Sequence, residues 1–256
     1  MTAGYDYGRA GRIGIGTPQA NPTVESEFAI LLPPQAALSV TRLTSSASAP
    51  ADRLRDYLWK LEGSLADFDT LKLDVFGFGC TASSYLVDRD REAAIYSACE
   101  ERFGYPVLGA ADAIAWALDE IGARRIALLS SYPANLTGPA HGYWRSRGYT
   151  LVETVEAGGL KPDADTRGIY ELGSADAAAA LTRIDTSVVD AVVISGTGMP
   201  TLPIIAASSA GIPLLSSNLC LAARIADRLR LGDLLDPASK ASLAWRERCR
   251  TAICRL

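Results

Sequence analysis

The chain repeats itself, and that repeat limits the possible folds more than any other feature. The run RIGIGTPQAN (Arg12 to Asn21), then LDVFGFGCTAS (Leu73 to Ser83), then YPVLGAADAIAWAL (Tyr105 to Leu118) has the same order of parts as RIALLSSYPAN (Arg125 to Asn135), DAVVISGTGMP (Asp190 to Pro200) and IPLLSSNLCLAARI (Ile212 to Ile225). Each half reads as strand and polar loop, strand and polar loop, then a short Pro-initiated strand that runs straight into a helix. One supersecondary plan used twice predicts two similar lobes. They are an N-terminal lobe of residues 1–121 and a C-terminal lobe of residues 122–256, with the seam near Ile121 to Arg124. The tail from Leu231 to Leu256, with Arg246, Arg248, Arg250 and Arg255, lies outside the repeat. It is expected to form a terminal helix that packs back on the outside or against a second subunit, so a homodimer is an expected assembly.

Within each half, short apolar runs alternate with longer amphipathic stretches, the pattern of a parallel sheet flanked by helices, and the fold class is therefore α/β. Strands are predicted at Arg12 to Gly16, Ser39 to Leu43, Leu73 to Gly79, Pro106 to Gly109, Arg125 to Ser130, Tyr149 to Val155, Ala191 to Ser195 and Pro213 to Ser216. Helices are predicted at Ala51 to Ala66, Asp90 to Phe103, Ala110 to Ile121, Gly138 to Arg147, Ser174 to Thr182 and Asn218 to Leu229. In open parallel sheets, ligands bind outside the carboxyl ends of the strands. Four loops then face one cleft between the lobes: Thr17 to Asn21, Cys80 to Ser84, Ser131 to Asn135 and Gly196 to Gly198.

Composition narrows what that cleft can hold. A formal net charge of −4 offers no basic surface for phosphates, so nucleic acid and anionic membrane are not the expected partners. No run approaches the roughly 18 apolar residues of a membrane span, and Met1 to Arg12 lacks the apolar core of a signal peptide. The five cysteines, Cys80, Cys99, Cys220, Cys249 and Cys254, are odd in number and form no C-x-x-C pair. Reduced thiols in a cytoplasm are the expectation, with no disulfide frame and no zinc ribbon. With His141 as the only histidine, no His-cluster metal site is expected, and acid–base chemistry falls to Cys, Tyr, carboxylate or Lys.

Cys80 directly follows an apolar strand and precedes Thr81, Ser83 and Ser84, whose hydroxyls and N–H groups suit a carboxylate. A thiol beside an anion-binding loop can serve as acid, base or nucleophile, or Cys80, like most free cysteines, simply packs. The equivalent position in the second half is Gly196, in SGTGMPT, so the duplicated site carries one thiol and one glycine. Two facing thiols can exchange protons on both faces of a planar intermediate; one thiol serves a single face. Gly196, Thr197 and Gly198 offer backbone donors for an oxyanion, or form a plain tight turn. Asn21 is placed to hydrogen-bond a substrate carboxylate, and Asn21 or Thr23 can also cap a helix with Pro22 in its first turn, two compatible roles. Tyr132 and Asn135 occupy the corresponding loop of the second half, where a phenol can donate to an oxyanion or merely close a turn.

On GIGTPQANPTVESE (Gly14 to Glu27), GCTASSY (Gly79 to Tyr85), SSYPAN (Ser130 to Asn135), SGTGMPTL (Ser195 to Leu202) and PLLSSN (Pro213 to Asn218), the chain resembles the Asp/Glu racemase superfamily, in the branch of maleate cis-trans isomerase and arylmalonate decarboxylase. The resemblance runs from about Arg12 to Leu229. It implies an active site in the cleft between two lobes, catalysis with neither metal nor organic cofactor, and a small carboxylic or dicarboxylic acid as substrate. Cys80 looks like the first-lobe catalytic cysteine, Asn21 like the carboxylate-binding asparagine, and Thr81 and Tyr132 like the oxyanion-hole hydroxyls. Gly196 departs from the pattern, which has a second-lobe cysteine there and leaves Thr197 or a water as the local substitute. Three readings follow. The first is decarboxylation of a malonate with protonation on one face by Cys80, giving product of opposite hand to an enzyme whose thiol lies in the second lobe. The second is cis-trans isomerisation or racemisation with Cys80 as nucleophile or base. The third is a carboxylate-binding relative without catalysis.

Overall fold

The eight apolar runs form two four-stranded parallel sheets in the computed structural model, which describes residues 6–161, 164–208 and 211–253. β1 (Arg12–Pro18), β2 (Ala37–Leu43), β3 (Val75–Phe78) and β4 (Val107–Gly109) make the first sheet, in the order β2-β1-β3-β4. β5 (Arg125–Ser130), β6 (Thr150–Glu156), β7 (Ala191–Ser195) and β8 (Leu214–Ser216) make the second, in the matching order β6-β5-β7-β8. The burial of each strand follows its place. Central β3 and β7 are buried at every residue, while edge strands β2 and β6 are mostly half-buried, because an interior parallel strand is covered by helices on both faces.

The first half contributes α1 (Val24–Leu31), α2 (Pro50–Trp59), α3 (Leu61–Ala66), α4 (Thr81–Tyr85), α5 (Arg89–Phe103) and α6 (Ala110–Glu120). The second contributes α7 (Thr137–Ser146), α8 (Ser174–Leu181), α9 (Leu202–Ala207), α10 (Ser217–Leu229) and α11 (Lys240–Ile253). Local chemistry sets several ends. Asp88 accepts from the Asp90 and Arg91 N–H groups and starts α5, and Gly104 ends it with φ +77. Ser216 accepts from the Leu219 N–H and starts α10. The single helix predicted over Ala51 to Ala66 is two, since the backbone leaves helical geometry at Lys60 (φ −100, ψ 13). The buried stripe Leu54, Leu58, Leu61, Leu65 continues across the break, so apolar periodicity alone does not reveal it.

The two halves are joined by their equivalent helices, as α6 packs along α10. Helix α10 also reaches β3, where Gly77 leaves room: a Cβ there would stand 2.7 Å from Ile15 Cδ1 and 3.1 Å from Ile225 Cδ1. The terminal helix α11 packs on α1 and α9, one from each half. Arg248 donates to the Ile30 and Leu31 carbonyls and Arg246 to that of Ile205, satisfying carbonyls near helix C-termini that lack intrahelical partners. The tail therefore clamps both halves of its own chain. Cys254 and Arg255 lie outside the described residues. Among the described residues no helix is long and apolar enough to cross a membrane, and Cys80, Cys99, Cys220 and Cys249 are free and buried.

Candidate active site

The loops after β1, β3 and β7 meet where the two sheets face each other. Asn21 Nδ2 donates to Thr197 Oγ1 at 3.0 Å, and Thr197 Oγ1 donates to the Gly79 carbonyl at 3.0 Å. Thr23 Oγ1 donates to the Gly198 carbonyl at 2.6 Å. Behind them, the fully buried Glu27 on α1 accepts from the Thr201 N–H at 2.6 Å, the Leu202 N–H at 3.0 Å and Asn218 Nδ2 at 2.7 Å. Burial pushes this carboxyl above its ordinary range, and the donors pull it part of the way back.

Beside this seam, Cys80, Tyr132 and Thr197 line a cavity of about 20 Å³, with Pro18, Leu54 and Tyr57 on the first-half wall. Thr166, Arg167, Ile169 and Tyr170, from the short 3-10 helix Thr166–Glu171 and its approach, form the roof. That volume matches about one water molecule. A larger groove of about 1090 Å³ runs past Trp116, Pro213 and Asp233. It lies at the amino end of β8 and contains none of the residues singled out for chemistry, so the small cavity at the carboxyl ends is the better candidate.

Cys80 has the backbone φ −142, ψ 100 and immediately precedes α4, whose Ala82 and Ser83 N–H groups face its sulfur. Burial raises the thiol above its ordinary range; the Ser83 hydroxyl and the two N–H groups partly oppose that rise. Ser83 Oγ lies 2.6 Å from the Leu54 carbonyl and 3.1 Å from Cys80 Sγ. A hydroxyl carries one proton. While it is given to Leu54, the protonated thiol can donate to Oγ; when the thiol loses its proton, the hydroxyl can turn to the sulfur. Ser83 thus supports both states of Cys80.

The Thr81 hydroxyl lies near the Tyr132 phenol and acts to lower its pKa. Burial, together with Cys80 nearby, holds the Tyr132 phenol well above its ordinary range, so it stays a neutral donor. Thr81 Oγ1 also donates to Ser217 Oγ at 2.8 Å, and the Gly196 N–H donates to the same oxygen at 3.0 Å. Two of the donors expected for an oxyanion, Thr81 and the Gly196 N–H, therefore meet on Ser217, a residue without a sequence signal of its own.

Other sequence expectations are redirected. Asn21 does not itself line the small cavity: its Oδ1 accepts from the Thr23 and Val24 N–H groups at the start of α1, while its Nδ2 reaches Thr197, which does line it. Asn135 is exposed, in the 3-10 helix Ala134–Leu136, away from the cavity. Gly198 is covered by the roof, because a Cβ there would stand 2.6 Å from the Tyr170 ring. Gly196 has φ +115, and a Cβ there would stand 2.2 Å from Ser131 Oγ. The space a Cβ at Gly196 would need is thus taken by the Ser131 hydroxyl. Ser131 Oγ is itself held by donating to the Ser195 carbonyl at 2.9 Å.

Arg53, Tyr57 and the roof residues were also missed. Arg53 carries a weak signal, since helical spacing puts it on the same face as Tyr57 within an apolar stripe. The roof lies in irregular chain and carries none. Among the described residues no group of three or more His, Cys, Asp or Glu side chains is placed to hold a metal ion.

The sequence model of the family described as arylmalonate decarboxylase matches residues 69–239, two-thirds of the chain, from β3 of the first half of the repeat through the whole of the second. The chain belongs to this family. Among solved structures, the fold is similar to that of a Nocardia farcinica maleate cis-trans isomerase mutant with a covalently bound succinylcysteine intermediate (23% identity, 92% of this chain and 98% of that one, TM-score 0.76). It is also similar to a maleate isomerase from Pseudomonas putida with maleate (19% identity, 90% and 96%, TM-score 0.75), and to arylmalonate decarboxylase (19% identity, 86% and 91%, TM-score 0.60). No curated protein sequence matches the chain. These structures share the two-sheet α/β architecture, which accounts for the repeat and for the cleft between its halves.

Proposed function

We propose that this family member is a cofactor-independent decarboxylase of small malonate-type diacids, with Cys80 as the proton donor. The observation that carries this reading is the asymmetry of the site. The cavity wall presents a buried thiol whose burial favours the protonated form, and the equivalent position in the second half is a glycine with φ +115 against which Ser131 is packed. In the reaction, the bond from Cα to one carboxylate breaks, CO₂ leaves, and the electron pair passes into the remaining carboxylate as an enediolate. Tyr132, in the cavity wall, donates to one of its oxygens, and Thr81 and the Gly196 N–H, which now donate to Ser217 Oγ, join it when the substrate oxygen displaces that hydroxyl; a preorganised donor in a dry site is worth far more than in water. Cys80 S–H then gives its proton to Cα on one face, and the thiolate recovers a proton from solvent while the Ser83 hydroxyl turns to it.

We read residues 1–121 and 122–256 as the two lobes that supply the two walls. The free thiols favour a reducing compartment, and we place the enzyme in the cytoplasm. The exposed side of the basic helix α11 is a candidate surface for a homodimer.

The test is proton NMR in D₂O with the protein and its Cys80→Ala variant on phenylmalonate, methylmalonate and maleate. Monodeuterated monoacid from a malonate, absent with the variant, is the expected result. Fumarate from maleate would instead make Cys80 a nucleophile and the enzyme an isomerase. Product formed equally by the variant would remove Cys80 from the reaction.

A further inference from the structure

A cation stands in the cavity, and neither the repeat nor the oxyanion donors account for it. Arg53, in the first turns of α2, has a side chain only 4% exposed, yet it lines the same small cavity as Cys80. The wall between them is continuous: the next residue, Leu54, receives the Ser83 hydroxyl at 2.6 Å, and Ser83 touches the Cys80 sulfur at 3.1 Å. Arg53 Nη2 is 2.6 Å from Asp165 Oδ1 and 3.4 Å from Thr166 Oγ1, both contributed by the roof and its approach.

The two members of this ion pair are not equally dependent on it. Asp165 is 35% exposed and is also held by Arg167, through its N–H at 2.8 Å, Nε at 3.0 Å and Nη2 at 2.8 Å. It keeps three bonds and its contact with water if Arg53 is taken away. A guanidinium so deeply buried is strongly destabilised without an anion, and its planar fork matches a carboxylate.

Resting on the reading of Cys80 as a thiol acting on small acids, we propose that Arg53 anchors the second carboxylate of the substrate and that Asp165 holds this place until a diacid arrives. Binding exchanges one carboxylate for another on the same guanidinium. Release of Asp165 loosens the roof that now closes the cavity to the volume of about one water. The site then selects short dicarboxylates over monocarboxylates, because a monoacid that opened the roof would leave Arg53 unpaired.

The test measures alkylation of Cys80 by iodoacetamide at one alkaline pH, read by mass spectrometry of the Cys80 peptide, with malonate, maleate or acetate as protectant. In the unaltered protein the diacids are expected to half-protect at a concentration at least about tenfold below that of acetate. Arg53→Gln is expected to raise the diacid value at least about tenfold and leave that of acetate unchanged. Asp165→Asn, which weakens the resident competitor, is expected to lower the diacid value; it carries the test if Arg53→Gln does not fold. Unchanged diacid protection in Arg53→Gln, or weaker protection in Asp165→Asn, overturns the proposal and leaves Cys80 as the reactive thiol. Absence of protection by every acid in both the unaltered protein and Asp165→Asn overturns the reading of Cys80 itself, and the anchor with it.

Discussion

Restoring a second thiol by Gly196→Cys is expected to destabilise the protein, by an amount the structure allows to be apportioned. A side chain at φ +115 occupies a region nearly reserved for glycine, at a cost of about 1–3 kcal/mol. Its Cβ would also stand 2.2 Å from Ser131 Oγ, so the hydroxyl must move by more than about 1 Å to reach ordinary contact and must leave the Ser195 carbonyl it now binds at 2.9 Å. Loss of that buried bond adds about 1–2 kcal/mol, and the whole comes to about 3 kcal/mol.

The two costs separate in a double-mutant cycle. Ser131→Ala alone is expected to cost about 1 kcal/mol, through the lost bond. In the double variant the collision with Oγ is gone and the backbone cost remains, so the pair should be less destabilised than the sum of the singles by about 1–2 kcal/mol. Urea unfolding is the assay: with a slope of about 3 kcal/mol/M, Gly196→Cys lowers the midpoint by about 1 M. A Gly196→Cys midpoint equal to that of the unaltered protein, or singles that add within about 0.5 kcal/mol, would refute the claim that Ser131 and the backbone together exclude a second thiol.

Three further outcomes are expected. If Cys80 protonates the enediolate, the rate requires its protonated form. Burial raises this thiol, so activity should stay level up to the ordinary thiol value of about 8.5 and fall only above it; a pH–rate profile that falls through the neutral range would contradict this. Tyr132→Phe removes a neutral donor from the oxyanion site and should lower kcat by about 10²–10³ with little change in the denaturation midpoint, measured by steady-state kinetics on the active malonate. Glu27→Ala strands the Thr201 and Leu202 N–H groups and the Asn218 amide, and should cost about 3–5 kcal/mol in urea unfolding.

Much of the fold was legible because it rests on local patterns. The eight strands and most helices follow from apolar runs, capping residues and the repeat itself, and the matching order of the two sheets is the same pattern read in space. The placement of Cys80 and Thr81 after β3 and of Tyr132 after β5 was also legible, because it follows directly from where those strands end. The asymmetry between Cys80 and Gly196 could be read from the repeat alone. Ser83 was expected near the substrate, and the structure sets it against the thiol instead.

What the sequence could not decide depends on atoms brought together from distant positions. Nothing near Ser131 shows that its hydroxyl fills the space a Cβ at Gly196 would need, since the two residues are 65 positions apart. Asn21 was suited to capping and to binding at once, and only the tertiary structure shows that its Oδ1 serves α1 while its Nδ2 crosses to Thr197 of the other half. Arg53 and Asp165 are separated by 112 positions, and although helical spacing hints that Arg53 shares the face of Tyr57, nothing in the sequence pairs it with Asp165. Periodicity shows which face of an element is buried, but not which charge from another element is buried with it. That choice is set by the packing of whole lobes, where desolvation makes a single missing partner costly enough to fix the pair.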